Sequence, residues 1–228
     1  MGTLLLVRHG LTEQTGPVLT GWTPGVHLDD RGREQARALG ERLAGLPLAA
    51  LVSSPLERCQ DTAAAIAAGR DLEVQTDERL GECRYGAWTG QEIKKLVKDP
   101  LWKVVQAHPS AVTFPEGEAL RDTQARALAA VRDWDARLGG EATWCAVSHG
   151  DVIKAIAADA LGMHLDAFQR ITVNPCSLTV IRYTPLRPFV LRLNDSGGSV
   201  DDLRPPKGRR RRKASSDAAV GGGAGGSA

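Results

Sequence analysis

The chain has 228 residues, of which 42% are hydrophobic and 4% aromatic, and its formal net charge is +2. This length fits one large domain or two small ones, and the hydrophobic content is enough for a core built mainly from Leu, Val, Ile and Ala. No apolar segment is long enough to span a bilayer, and the N-terminal apolar run lacks the flanking features of a signal peptide. We therefore expect a cytoplasmic protein without a membrane partner.

Short apolar runs alternate with helical patterns along most of the chain. Strands are predicted over 4–7, 50–52, 73–76, 143–148, 177–184 and 189–195, and helices over 31–46, 56–68, 118–138 and 152–161. Residues 81–117 are rich in Gly and Pro, which predicts an irregular segment with at most short helices. This alternation indicates an α/β fold with a mainly parallel sheet, and the last two strands are expected near its edge.

The C-terminal segment has a different composition. Residues 201–228 hold seven Arg or Lys and three Asp, which leaves a net charge of −2 on the rest of the chain. From residue 196 onward the sequence is rich in Gly and Ser and shows no periodicity, so we predict one domain over 1–195 and a disordered basic tail over 196–228. Binding of nucleic acid or a membrane surface by its RRRRK run is a remote alternative function. The tail has no aromatic residue to stack on bases, which argues against nucleic acid.

The four cysteines are isolated from one another: Cys59, Cys83, Cys145 and Cys176. None forms a CxxC pair, and none is spaced with histidines as zinc ligands usually are. Isolated thiols favour a reducing compartment.

Basic side chains gather where the predicted strands end. Arg8 and His9 follow the first strand, Arg58 lies in the helix after the second, and His149 follows strand 143–148. Ligands bind beyond the carboxyl ends of the strands in such sheets. Guanidinium groups suit phosphate oxygens, and a histidine is neutral often enough near pH 7 to act as a nucleophile. We predict an anion pocket here.

Phosphoryl transfer to a leaving alcohol also needs a proton donor. Glu82 is the first candidate because it lies in the Gly-rich segment, where loops reach over a site. Asp151 is the second, since it begins a helix and is suited simply to cap it. Gly10 and Gly150 are expected to let the backbone turn sharply and approach an oxyanion.

Five blocks carry a family resemblance: LVRHGLT, LTGWTPGVHLDDRG, SSPLERCQDTA, GECRYGAWTG and AVSHGD. In this order they resemble the histidine phosphatase superfamily, also called the phosphoglycerate mutase-like family, over roughly residues 3–194. RHG alone is a weak motif, whereas five ordered blocks are a specific signal. The resemblance implies a three-layer α/β/α sandwich with a mainly parallel central sheet.

The resemblance also implies roles for single residues. His9 matches the nucleophile that forms a phosphohistidine, and Glu82 matches the general acid that later acts as base for water. The phosphate-binding residues correspond to Arg8, Arg58 and His149, and the substrate-binding ones to Thr15, Thr20, Gly21 and Tyr85. No metal or organic cofactor is implied, because the arginines supply the positive charge.

Three features distinguish this chain within that family. Thr15 stands where the family often has Asn, and Asp151 stands where it often has Gly. Mutases carry a pair of adjacent arginines in a longer middle insertion, but no Arg occurs between Gly90 and Leu120. We therefore expect a phosphatase acting on a small phosphorylated metabolite, with a phosphoglycerate mutase-type phosphomutase as the alternative. The oligomeric state is left open, with a homodimer among the alternatives.

Overall fold

The computed structural model describes residues 2–139, 141–198 and 200. Eight strands are found there: β1 (Thr3–Arg8), β2 (Val18–Leu19), β3 (Leu51–Ser53), β4 (Val74–Thr76), β5 (Gln91–Glu92), β6 (Thr143–Ser148), β7 (Leu178–Tyr183) and β8 (Pro188–Asp195). The α-helices are α1 (Asp30–Leu43), α2 (Glu57–Ala67), α3 (Ile93–Leu96), α4 (Pro100–Ala107), α5 (Leu120–Leu138) and α6 (Gly150–Ala160).

Six of these strands form the central sheet, in the order β4-β3-β6-β1-β7-β8. The four strands from β4 to β1 pair in parallel, whereas β7 pairs antiparallel with both β1 and β8. The predicted mainly parallel sheet is confirmed, and β8 lies at its edge as expected. The parallel part aligns the carboxyl ends of β3, β6 and β1 at one end of the sheet.

Strand β1 is an unbroken apolar run because both faces of the sheet are covered. Leu4 and Leu6 belong to one core cluster with residues of α5 and α6. Leu5 and Val7 belong to a second cluster with residues of α1 and α2. All four side chains are fully buried. Helices therefore lie on both sides of the sheet, which confirms the three-layer α/β/α sandwich.

Capping and packing set the helix boundaries. Asp29 caps α1, and its side chain accepts a hydrogen bond from the Gly32 amide at 2.7 Å. The helix ends at Leu43, three residues before its predicted end, and Leu46 is buried in the turn that follows. Helix α6 begins at Gly150, two residues earlier than predicted, because the extended His149 provides its N-cap.

The segment 81–117 contains only short elements, as predicted. Helices α3 and α4 lie in it, and β5 pairs with β2 in a small antiparallel sheet that the sequence did not predict. Each strand of this sheet has two residues, which is too short to show a period of two. The sheet matters for function because Val18 and Leu19 of β2 line the cavity described below.

The predicted tail lies mostly outside the described residues. Of residues 196–228 the structure describes only 196–198 and 200, and Val200 packs in the core cluster that holds Leu5 and Val7. Among the helices of the described part, none combines the length and the apolar character needed to cross a membrane.

Candidate active site

A cavity of about 420 Å³ opens at the carboxyl ends of the parallel strands. Strand register places Arg8 beside Ser148 and Ser53 beside Val147, so the ends of β1, β3 and β6 meet there. Eight of the nine predicted site residues line it: Arg8, His9, Thr15, Thr20, Gly21, Arg58, Glu82 and Tyr85. The ninth, His149, is fully buried behind them, with its ring centroid 5.3 Å from that of His9.

The buried His9 ring has a defined proton position. Its Nδ1 lies 2.8 Å from the backbone oxygen of Gly10. Because a carbonyl oxygen only accepts, Nδ1 carries the proton and Nε2 is left with its lone pair. Burial lowers the pKa of His9 well below its usual value, and the charges of Arg58 and Arg8 lower it further. The ring is therefore neutral near pH 7, with an unprotonated nitrogen available as a nucleophile.

Two arginines surround that nitrogen. Arg58 Nε lies 3.3 Å from His9 Nε2, and Arg58 Nη2 donates to the Gly21 carbonyl at 2.8 Å. Arg8 Nη1 donates to the Val173 carbonyl at 2.7 Å. Arg8 Nε and Arg58 Nη1 are buried without a hydrogen-bond partner among the described residues. Because unpaired buried donors are costly, this pair is suited to an anion such as a phosphate group.

His149 contacts both Arg58 and Ser54, the residue that follows strand β3. Its Nδ1 lies 3.2 Å from Arg58 Nη2, and its Nε2 lies 2.7 Å from Ser54 Oγ. Burial lowers the pKa of His149 well below its usual value, followed by the charge of Arg58. The sequence analysis assigns no role to Ser54, because nothing in the sequence shows that it pairs with a residue 95 positions away.

Glu82 lines the cavity with only 9% of its surface exposed. Burial raises the pKa of Glu82 to about 7, and the negative charge of Asp151 adds to this. One carboxylate oxygen accepts a hydrogen bond from the Cys83 amide at 2.9 Å. A carboxyl group that is substantially protonated near pH 7 is suited to general acid catalysis. Its backbone is also fixed, since its carbonyl accepts from the Trp22 indole.

Arg126 of α5 holds the Glu82 segment from outside the cavity. Its guanidinium donates to the carbonyl oxygens of Arg79, Gly81 and Glu82 at 2.6, 2.8 and 2.9 Å. It also forms an ion pair with Glu118 at 2.6 Å. Sequence reasoning missed this residue because it lies in the middle of a helix whose pattern indicates only packing.

A polar network also lines the cavity. The Tyr85 hydroxyl donates to Asp151 Oδ2 at 2.9 Å. Lys154 Nζ lies 3.3 Å from Asp151 Oδ1 and 3.1 Å from Gln169 Oε1. Both carboxyl oxygens of Asp151 are therefore occupied as hydrogen-bond acceptors, whereas the buried Glu82 has the raised pKa that suits a proton donor.

The predicted substrate-binding residues Thr15, Thr20 and Gly21 line the cavity, and each makes a different kind of contact. The Thr15 hydroxyl lies 2.9 Å from the Thr12 hydroxyl and accepts from the Thr12 amide at 3.0 Å. The Thr20 carbonyl accepts from Thr23 and closes a turn. Gly21 has φ +52°, and a Cβ there would come within 3.0 Å of the Tyr85 side chain. This position thus requires glycine.

The two motif glycines, Gly10 and Gly150, differ in how closely their surroundings pack. Neither Gly10 nor Gly150 has a positive φ. A Cβ on Gly10 would lie 2.7 Å from the Gly32 carbonyl oxygen, so Gly10 allows helix α1 to approach the nucleophile segment closely. A Cβ on Gly150 would only reach ordinary contact distance from Arg8. Neither position therefore needs the left-handed backbone conformation that favours glycine, and close packing explains Gly10.

The buried imidazole nitrogen, the convergent guanidinium donors and the carboxyl group of raised pKa define a phosphoryl-transfer site. A family model of the histidine phosphatase superfamily (branch 1) matches residues 4–196. The chain belongs to this superfamily. It is an enzyme of the phosphatase class, as the sequence predicts.

Relatives extend over most of the chain. It is 31% identical over 200 residues to phosphoserine phosphatase 1 of Hydrogenobacter thermophilus, which covers 85% of this chain and 92% of the relative. It is 32% identical over 171 residues to glucosyl-3-phosphoglycerate phosphatase of Mycolicibacterium vanbaalenii, covering 72% and 76%. The solved structure of Bacillus stearothermophilus YhfR has a TM-score of 0.80 at 32% identity and covers 86% of this chain and 98% of its own.

Proposed function

We propose that the protein hydrolyses a small phosphomonoester through a phosphohistidine on His9, without a metal. The observation that carries this proposal is the His9 ring, whose Nδ1 is committed to the Gly10 carbonyl while Nε2 lies 3.3 Å from Arg58 Nε inside the cavity. A neutral imidazole nitrogen beside cationic donors is the arrangement that nucleophilic attack on a phosphate ester requires.

The first half-reaction transfers the phosphoryl group to the enzyme. Arg8, Arg58 and His149 hold the phosphate oxygens, and the lone pair of His9 Nε2 forms the new N–P bond. The ester P–O bond breaks, and its electron pair stays with the leaving oxygen. Protonated Glu82 gives its proton to that oxygen, which leaves as an alcohol. The arginines neutralise the charge that develops on the phosphoryl oxygens.

The second half-reaction returns the enzyme to its starting state. Water attacks the phosphorus of the phosphohistidine, and the N–P bond breaks with its electron pair returning to His9 Nε2. Glu82, now a carboxylate, accepts a proton from that water. Inorganic phosphate is released, and Glu82 is again protonated.

The substrate is proposed to be a small phosphorylated metabolite that reaches the cavity past Thr15, Thr20 and Gly21 and contacts Tyr85. The named relatives act on phosphoserine and glucosyl-3-phosphoglycerate, which supports this size class. A phosphomutase is the second candidate, because it would use the same phosphohistidine. The cations that line the cavity in the described chain are Arg8, Arg58 and Lys154. None of them forms the adjacent arginine pair expected of a mutase.

The compartment and the assembly are proposals as well. All four cysteines are buried and free, which supports the cytoplasm. The homodimer stays a prediction that light scattering on the purified protein would test.

The decisive experiment compares His9→Ala with the wild type on p-nitrophenyl phosphate, with and without EDTA. We expect the variant to lose at least about a thousandfold in kcat/KM, since nucleophile removal abolishes the covalent route. EDTA should leave wild-type turnover unchanged. His108→Ala, which removes an exposed histidine, is the matched control. Residual turnover near the wild-type level in His9→Ala, or its loss in EDTA, would falsify the proposed mechanism.

A further inference from the structure

The cavity lining carries both cationic and acidic side chains. Arg8 and Arg58 present buried donors without partners among the described residues. Glu82 and Asp151 also line the cavity, and the third lining cation of the described chain, Lys154, is bonded to Asp151. In the proposed function Arg8 and Arg58 hold the phosphate, so the leaving group of the substrate meets the remaining polar lining, which includes Asp151 and Lys154.

Lys154 already has two hydrogen-bond partners in the cavity lining. Its ammonium group donates to Asp151 Oδ1 at 3.3 Å and to Gln169 Oε1 at 3.1 Å. An ammonium group has three N–H donors, so one donor is left for a ligand. The Lys154 side chain is 20% exposed and that of Asp151 is 24% exposed, so the pair faces the cavity while being partly shielded from solvent.

Asp151 can still accept hydrogen bonds from a ligand in the cavity. Two hydrogen bonds to it are present, from Tyr85 and from Lys154, whereas a carboxylate accepts up to about four. A hydroxyl group both donates and accepts, so it can donate to Asp151 and accept from the remaining Lys154 donor. A carboxylate only accepts, and it would meet the negative charge of Asp151 when it approached Lys154.

The geometry points to a specificity role for Asp151 and Lys154: the pair selects phosphomonoesters whose leaving group carries hydroxyls and no carboxylate. This inference rests on the proposed function, because it places the phosphate on Arg8 and Arg58. It depends on Asp151, which stands where the family often has glycine. Rejection of a carboxylate comes from the like charge of Asp151 held next to Lys154, which is discrimination by repulsion.

The test uses two ligands that differ in one group. Glycerol 3-phosphate carries CH2OH where 3-phosphoglycerate carries a carboxylate. Both are measured as substrates, as competitive inhibitors of p-nitrophenyl phosphate hydrolysis, and by isothermal titration calorimetry. We expect the wild type to prefer glycerol 3-phosphate by about tenfold or more, the ratio that a difference near 1.4 kcal/mol produces.

Two variants should move that ratio in opposite directions. Asp151→Asn removes the repelling charge and is expected to improve 3-phosphoglycerate relative to glycerol 3-phosphate by about tenfold. Lys154→Met removes the cation and should worsen 3-phosphoglycerate further. Lys103→Met removes an exposed cation outside the cavity and should leave the ratio unchanged. Local damage to the fold would weaken both ligands together and leave the ratio fixed.

The outcomes of these experiments distinguish a failure of this inference from a failure of the proposed function. A wild type that binds 3-phosphoglycerate as well as glycerol 3-phosphate overturns the selectivity role, and so does a ratio that neither cavity variant changes. Absence of p-nitrophenyl phosphate hydrolysis overturns the proposed function instead. In that case calorimetry on the same two ligands still decides whether Asp151 and Lys154 discriminate between them.

Discussion

Ser54 Oγ lies 2.7 Å from His149 Nε2, at the end of the ring that points away from Arg58. Arg58 donates to Nδ1 in the free site, so the proton of the neutral ring is on Nε2 and is donated to Ser54. A bound phosphate dianion favours proton uptake at Nδ1, which would then donate to a phosphate oxygen. Proton uptake at Nδ1 would break its hydrogen bond with Arg58, whereas Ser54 can still accept from Nε2 and hold the ring in place.

We therefore predict that Ser54→Ala weakens phosphate binding. Loss of this buried hydrogen bond should cost about 1 kcal/mol, or roughly fivefold to tenfold in kcat/KM, and raise the inhibition constant of inorganic phosphate similarly. Ser53→Ala is the matched control, because the neighbouring Ser53 hydroxyl is buried but bonds to the Ser54 carbonyl instead. Equal effects of the two substitutions on phosphate inhibition would show that the His149 contact has no special role.

The pH dependence should follow Glu82. Its pKa of about 7 means that the proton donor is lost as the pH rises through 7. We expect kcat/KM for an alkyl phosphate to fall above about pH 7, with a weaker fall for p-nitrophenyl phosphate, whose leaving group needs no proton. Glu82→Gln should lose about a hundredfold or more on the alkyl ester and less on the aryl ester. A loss of equal size on both esters would contradict the assignment of Glu82 as general acid.

The same profile also tests Asp151. The charge of Asp151 is the second cause of the raised pKa of Glu82 after burial. Asp151→Asn removes that charge, so Glu82 should lose its proton at lower pH. The decrease of kcat/KM on the alkaline side of the profile, the alkaline limb, should therefore begin at a lower pH. Profiles from pH 5 to 9 on one alkyl phosphate measure this shift. A limb that stays in place, or moves to higher pH, would show that the two groups are not coupled in this way.

The positions of the site residues were predictable where a motif coincides with a strand end. Arg8, His9 and His149 follow buried strands, and a parallel sheet brings such ends together. The hydrogen bonds from Arg126 to the Glu82 segment were not predictable, since they depend on α5 lying within reach of a loop more than 40 residues earlier in the chain. Strands are predicted from alternating or apolar runs, and a strand of two residues is too short to show either pattern. The strands β2 and β5 were therefore not predicted.

Substituting Arg126 should impair proton donation more than substrate binding. Arg126→Gln frees the carbonyl oxygens of the Glu82 segment, so Glu82 should be less well placed, and kcat/KM on an alkyl phosphate should fall about tenfold. The loss on p-nitrophenyl phosphate should be smaller, because that ester depends less on the acid. Arg121→Gln, on the exposed face of the same helix, should change neither. If the two esters lose activity equally, Arg126 has only a structural role.

The pH dependence of the free energy of unfolding reports on the titrating groups that are buried in the folded protein. Below pH 6.5 the unfolded chain binds a proton at each of His9 and His149, whereas the folded protein keeps both rings neutral because burial and the arginines lower the pKa of each. Glu82 acts in the opposite direction, since the folded protein holds its proton up to about pH 7 and the unfolded chain releases it near its usual pKa. Between about pH 5 and 6, the unfolded chain therefore binds one net proton more.

The free energy of unfolding should consequently decrease as the pH falls through this window, by about 1.4 kcal/mol per pH unit. Glu82→Gln removes the opposing proton, so its slope should be roughly twice as steep. Urea denaturation at pH 5.0, 5.5, 6.0 and 7.0 measures both slopes. His108→Gln, which alters an exposed histidine, should leave the wild-type slope unchanged. A flat or rising stability toward pH 5 in the wild type would mean that His9 and His149 are protonated in the folded protein, which would remove the lone pair that nucleophilic attack needs.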